Sequence, residues 1–160
     1  MCSAADLFLH ADAPIEPANA VAALLVLDDG RYVMQLRDAL PHIFYPAHWS
    51  CFGGAVDHGE APAQALRREL AEELEFQAGE LSEFTRFDFD FSRMGRGSIY
   101  RAYYEARITS ETFERFVLHE GEAMQALDGG DLLVNRKVAP YDAFAIWMHM
   151  SQHRFAPART

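Results

Sequence analysis

The stretch Gly53-Gly54-Ala55-Val56-Asp57-His58-Gly59-Glu60-Ala61-Pro62-Ala63-Gln64-Ala65-Leu66-Arg67-Arg68-Glu69-Leu70-Ala71-Glu72-Glu73-Leu74-Glu75-Phe76 carries most of the chemistry of this chain. Its glycines open a loop. Pro62 then suits the first turn of a helix, and Leu66, Leu70 and Leu74 recur at i, i+4 and i+8, which predicts a helix over Ala61 to Leu74. At 100° per residue, Glu69, Glu72 and Glu73 fall within an arc of about 100° beside that leucine stripe. Like charges at such spacings cost a few tenths of a kcal/mol per pair, and the residues four places on (Glu73, Phe76, Gln77) bring no cation. A bare Glu-Glu pair is ordinarily a solvated helix face. Three crowded carboxylates beside a buried stripe are also the oxygen donors that a hard divalent cation takes.

Outward from this segment the chain reads as alternating short strands and helices. Val21 to Leu27, Asp28-Asp29-Gly30 and Arg31 to Leu36 form a hairpin around an Asp-Gly turn. Asp38 to Ala47, with two prolines, is a loop with Phe44 and Tyr45 at its tip. His48 to Phe52 is a short strand running into the glycine pair. Downstream, Phe84 to Phe91 and Ser98 to Ile108 form a second hairpin around Met94 to Gly97. Phe113 to Leu118 reads as a strand and Gly129-Gly130 as a break. Pro140 opens a last helix through Met150, with Phe144, Trp147 and Met148 on its apolar side. Residues 1 to 19 are an irregular lead-in. Hairpins with helices against them make a mixed or largely antiparallel sheet, a fold of the α+β class.

Size and charge narrow the function. The 160 residues are expected to form one domain, half of them hydrophobic and 24% charged, which excludes a disordered chain. Cys2 and Cys51 form no CxxC or Cys/His ladder, so neither a disulfide framework nor a zinc module is expected. The longest apolar run, Ala20 to Leu27, is far too short to span a membrane. Asp6 and Asp12 stand where a signal peptide would carry cations, so a cytoplasmic protein is expected. Fourteen basic against 24 acidic residues give a formal charge of −10, and Lys137 is the only lysine. Nucleic-acid binding needs clustered cations, and none is present. A phosphate ester could approach this protein only with metal cations between them.

Gly54, five residues, Glu60, seven residues, Arg68-Glu69-Leu70, one residue, then Glu72-Glu73 resembles the Nudix box of the Nudix hydrolases. That resemblance implies an α/β/α sandwich with a mixed β-sheet. It also implies Mg²⁺- or Mn²⁺-dependent hydrolysis of a nucleoside diphosphate linked to another moiety. Carried over by position, Glu72 and Glu73 are the principal metal ligands and Gly53 offers its carbonyl. Glu69 is a further ligand or the group that activates water. Arg68 belongs with the catalytic set as the electrostatic partner of Glu69, while Gly54 and Glu60 are structural, Glu60 bracing the loop. Glu120 is expected to reach the metal as ligand or general base, with Glu122 as its competitor. Two positions depart from the pattern. Glu75 stands where the family usually has glycine, so the helix either runs on or holds Glu75 in a left-handed cap. Asp57 replaces a longer glutamate.

Outside the box, Arg37 is a candidate for phosphate and Tyr45 for a base, with Phe44 beside it. Trp49 is expected to pack in the core, and Cys51 to be a small buried hydrophobe. The seven histidines show no metal-ligand spacing. The downstream proline, tyrosine and Ser-Gln-Pro markers of some subfamilies are missing, which leaves nucleoside triphosphates and nucleotide sugars. A Nudix-fold sensing or interaction module without turnover is the alternative, and a diphosphate-ester isomerase a weaker one. The partner expected is a small-molecule nucleotide, with no nucleic acid and no membrane; a homodimer is left open.

Overall fold

The computed structural model describes Leu7 and residues 10–155. Cys2, Asp6 and much of the lead-in therefore lie outside the described residues. Residues 11–19 carry no helix or strand.

The longest apolar run forms the centre of the fold. Strand β1 (Ala20–Leu27) sends Val21, Ala23, Leu25 and Leu27 to one face and Ala22, Leu24 and Val26 to the other, all buried. A strand covered on both faces reads as unbroken apolar sequence, because the usual alternation disappears. β2 (Tyr32–Leu36) returns antiparallel to it through the Asp28–Gly30 turn, as predicted. The strand predicted over His48 to Phe52 is shorter, β3 (Trp49–Ser50), and Phe52 makes an isolated bridge to Ala23. Helix α1 (Pro62–Leu74) has Leu66, Leu70 and Leu74 fully buried against the first face of β1. Each such leucine contributes about 1.5–3 kcal/mol of burial.

The second hairpin is β4 (Ser82–Asp90) and β5 (Ser98–Ile108), and β5 runs parallel to β1 from Ala20↔Arg101 to Leu27↔Ile108. The strand order is β3-β2-β1-β5-β4, with β6 (Ala123–Leu127) pairing antiparallel to β2. This is the expected mixed sheet of an α+β fold. α1 covers one face, while α3 (Gly129–Asn135) and α4 (Pro140–Met150) cover the other. Trp49 and Cys51 pack in that second layer. Among the described residues no helix is long and apolar enough to cross a membrane.

Three readings of the sequence are corrected. Phe113 to Leu118 is not a strand. The short helix α2 (Ser110–Glu114) starts there, because the Thr109 side chain accepts from the Thr112 N–H and caps it. Gly129-Gly130 is not a break: Asp128 accepts from the Asp131 N–H and starts α3 over the glycines. On α4 the buried residues are Asp142, Ala145, Ile146 and His149, while Phe144 and Trp147 are 53% and 39% exposed. A buried acid and a buried histidine occupy the inner face, so apolar spacing alone selected the wrong side.

Candidate active site

The loop after β3 and the second half of α1 build the site. Here the chain runs beside β1, with Ala23 N–H donating to Phe52 O at 2.8 Å and Val21 N–H to Gly54 O at 2.9 Å. Gly53 has φ +136°, and a Cβ there would stand 2.2 Å from the Val21 carbonyl oxygen. Only glycine fits. Its N–H donates to Glu73 Oε2 at 3.1 Å. At Gly54 a Cβ would lie 2.5 Å from the Glu69 carboxyl carbon. The two glycines thus clear the seat on which the carboxylates of Glu69 and Glu73 rest.

Arg68 ties this seat to the helix. Its Nε and Nη2 donate to the two Glu60 oxygens at 3.1 and 2.9 Å, and Nη2 also reaches the Ala55 carbonyl at 3.1 Å. Nη1 donates to Glu69 Oε1 at 2.7 Å and, more loosely, to Glu72 Oε2 at 3.5 Å. The bidentate bond holds the Glu60 carboxyl below the usual range. Arg68 was expected in the catalytic set; with its donors engaged this way, it stands behind the carboxylates instead of lining the cavity.

Glu69, Glu73 and Glu120 line one cavity of about 320 Å³ with Gly53, Gly54 and Arg37. Glu73 is 4% exposed, and burial pushes its carboxyl up to about 8, helped by the charges of Glu120 and Glu69 against bonds from Gly53 and Gln35. Glu69 is also raised, by burial first and by Glu72 and Glu120, although Arg68 opposes the shift. Glu120 arrives by a route the sequence did not disclose. The carbonyls of Glu73 and Leu74 at the end of α1 accept from His119 N–H at 2.9 Å and Val117 N–H at 3.2 Å. These bonds lay the chain after α2 across the helix end. Gly121 then turns, and the Glu122 N–H bonds Leu36 O at 2.8 Å. Glu122 does not line the cavity. Nor does Glu72, whose side chain is 60% exposed.

The donor chemistry fits a hard divalent cation: the carboxylates offer oxygen ligands in surplus, and of the three only Glu69 is paired with an arginine among the described residues. Among the described residues no three His, Cys, Asp or Glu side chains form a ready-made metal cage. The carboxylates share the cavity without closing on one point.

A second cavity of about 240 Å³ adjoins the first, lined by aromatic residues including Tyr45, Phe89, Phe91 and Tyr100. Phe44, Arg101 and Tyr141 line both. Arg37 lies in the acidic cavity with its Nε donating to Phe44 O at 2.9 Å. Tyr45 stands edge-on to Tyr141, ring centroids 5.3 Å apart.

Sequence reasoning missed Gln35, Arg101, Tyr141 and Asp142. Asp142 is fully buried, accepts from Tyr103 Oη at 2.7 Å and Cys51 N–H at 2.9 Å, and pairs with Arg101 at 3.1 Å. Burial works against the Arg101 charge, and its neighbours together, Asp142 foremost, outweigh it and keep the guanidinium protonated. An acid two residues after Pro140 reads as a helix-start residue, and an arginine within a strand as a surface one. Neither position signals a buried pair.

Residues 16–152 match the NUDIX domain family. The chain belongs to that family. Nucleoside triphosphatase NudI of Escherichia coli O139:H28 is 35% identical over 71 residues, 44% of this chain and 49% of that protein. NudI of Shigella flexneri gives the same figures. The chain spans about half the length of the curated relatives it matches. The solution structure of the E. coli ORF135 protein superposes with a TM-score of 0.68 at 24% identity, covering 92% of this chain and 96% of that one. E. coli dihydroneopterin triphosphate pyrophosphohydrolase gives 0.66 at 21%, covering 82% and 94%. At these identities the likeness is one of fold. In this Nudix chain the helix brings Glu69 and Glu73 to the cavity, and the segment before β6 brings Glu120.

Proposed function

We propose that this chain is a pyrophosphohydrolase, cleaving the phosphoanhydride of a nucleoside diphosphate linked to another moiety: a nucleoside triphosphate or a nucleotide sugar. The observation that carries the reading is the convergence of Glu69, Glu73 and Glu120 on a cavity that shares a wall with an aromatic one. One compartment suits a metal-bound diphosphate and the other a flat ring. The name of the NudI relatives, nucleoside triphosphatase, is in line with it.

Glu73, Glu69 and Glu120 would hold Mg²⁺, or Mn²⁺ in its place, with the Gly53 carbonyl and Glu72 as further donors at the rim. Bound there, the metal neutralises the diphosphate and lowers the pKa of a water for in-line attack at phosphorus. The chain's own residues do the rest. Arg37 donates to a phosphate oxygen from the mouth of the acidic cavity. Glu120 or Glu69 accepts the proton of the attacking water. Arg68 keeps Glu69 aimed through its bond to Glu60. Tyr45 and Tyr141 offer ring faces to a base, where stacking is worth about 1–3 kcal/mol.

The test is a panel of nucleoside triphosphates and nucleotide sugars incubated with Mg²⁺ or Mn²⁺, with products identified by mass. Release of a nucleoside monophosphate with pyrophosphate, or with a sugar phosphate, supports the proposal. Tight binding across the panel with no turnover would make the chain a sensing module instead.

A further inference from the structure

We propose that the free edge of β4, with the aromatic outer face of α4 beside it, is the docking surface for a second copy of this chain. β4 ends the strand order, so its outer edge has no strand partner among the described residues, and it is nine residues long. An edge of that length presents a row of backbone donors and acceptors, which proteins ordinarily blunt by shortening or by charge. β4 does carry charge, but in a self-complementary pattern. Arg86 and Asp88 flank Phe87, with side chains 50% and 64% exposed, and they pair with each other at 2.6 Å.

Two identical strands joined about a two-fold axis perpendicular to the sheet run antiparallel, and opposed residues must share a face. The axis therefore passes through a residue, and charge selects which one. An axis at Phe87 sets Arg86 opposite Asp88 of the second copy and Asp88 opposite its Arg86. Thr85 then faces Phe89, and beyond Thr85 the bulge at Phe84 interrupts the regular register. No like charges meet. An axis at Arg86 opposes arginine to arginine, and one at Phe89 sets Asp88 against Asp90. An axis at Asp88 opposes aspartate to aspartate; its compensating Arg86–Asp90 pairs would draw on a carboxylate already holding the Ser92 N–H at 2.8 Å. Opposite charges across a strand pair stabilise and like charges destabilise, so Phe87 is the favoured centre.

The same axis keeps the α4 faces together. Phe87 packs on Phe144 at 5.5 Å, Phe144 stacks on Trp147 at 5.6 Å, and Phe155 meets Trp147 edge-on at 5.7 Å. Phe144, Trp147 and Phe155 are 53%, 39% and 56% exposed, an aromatic row beside the pairing edge. Exposed contiguous aromatics of this kind mark interaction surfaces, and a closed two-fold interface uses the same patch on both partners. The second copy would lay its own row alongside and continue the sheet across the axis.

Sedimentation velocity of the full chain across the micromolar range should show a reversible dimer. Arg86→Asp and Asp88→Arg should each weaken it about tenfold, because two attractive pairs become repulsive. The doubly reversed chain, Arg86→Asp with Asp88→Arg, should recover the original strength. Phe144→Ser should weaken the dimer while its melting curve shows an intact fold. A monomer at every concentration overturns the proposal. So does a dimer indifferent to the single reversals, or a double reversal no stronger than the singles.

Discussion

The carboxyl of Glu73 should set the pH dependence of the metal-free protein. Its folded pKa, about 8, lies above the ordinary value of 4.5. The folded chain therefore binds a proton that the unfolded chain has released. The stability this contributes is fully present below pH 4.5 and is lost as pH rises through about 8. Urea unfolding in EDTA should show stability falling across that window, and Glu73→Gln should flatten the fall while removing most of the catalytic activity. Glu75 is a separate case. It caps α1 with φ 53°, in the left-handed region where a side chain is strained, while Phe76 N–H bonds Leu70 O at 3.1 Å. Its exposed contact with His119 is worth little. Glu75→Gly should raise stability by about 1 kcal/mol, read as a higher urea midpoint. Glu120→Gln should cost about 10²–10⁴-fold in turnover if Glu120 is the base. Glu122→Gln should cost less than tenfold; a larger loss there than at Glu120 would reverse the assignment.

At the scale of elements, legibility followed burial on one face. α1 could be read to within a residue because its leucine stripe faces the sheet and its other side does not. β1 was visible as an unbroken apolar run. The box carboxylates were legible because they share that helix. What stayed hidden depends on contacts distant in sequence. The chain after α2 lies across the end of α1 through bonds to Glu73 O and Leu74 O, which no local pattern announces. The phenylalanines of Phe113 to Leu118 looked strand-like, and the Thr109 cap decided for a helix. α4 was found, but its inner face holds Asp142, tying the helix to β5 through Arg101 and Tyr103. Removing one member of a buried pair leaves the other charge uncompensated. Asp142→Leu should therefore destabilise the fold by about 3–5 kcal/mol in urea unfolding, whereas Asp131→Leu, in the partly exposed first turn of α3, should cost under about 1 kcal/mol.

For the whole molecule, a formal charge of −10 and a cavity lined by four glutamates (Glu16, Glu69, Glu73 and Glu120) oppose any polyphosphate unless cations intervene. The fold concentrates this opposition. α1 delivers Glu69 and Glu73 and the chain before β6 delivers Glu120 to one cavity beside the glycine loop, and the loop before β3 and the start of α4 close the aromatic cavity next to it. In the proposed function, this surplus of negative charge is a metal site for cleaving a phosphoanhydride. The most direct measurement takes the nucleotide turned over fastest and compares its hydrolysis by the intact chain in saturating Mg²⁺ and in EDTA, with Glu73→Gln alongside. Activity in Mg²⁺ that disappears in EDTA and falls steeply in Glu73→Gln is the result predicted. Equal turnover with and without the metal, or full activity in Glu73→Gln, would contradict it.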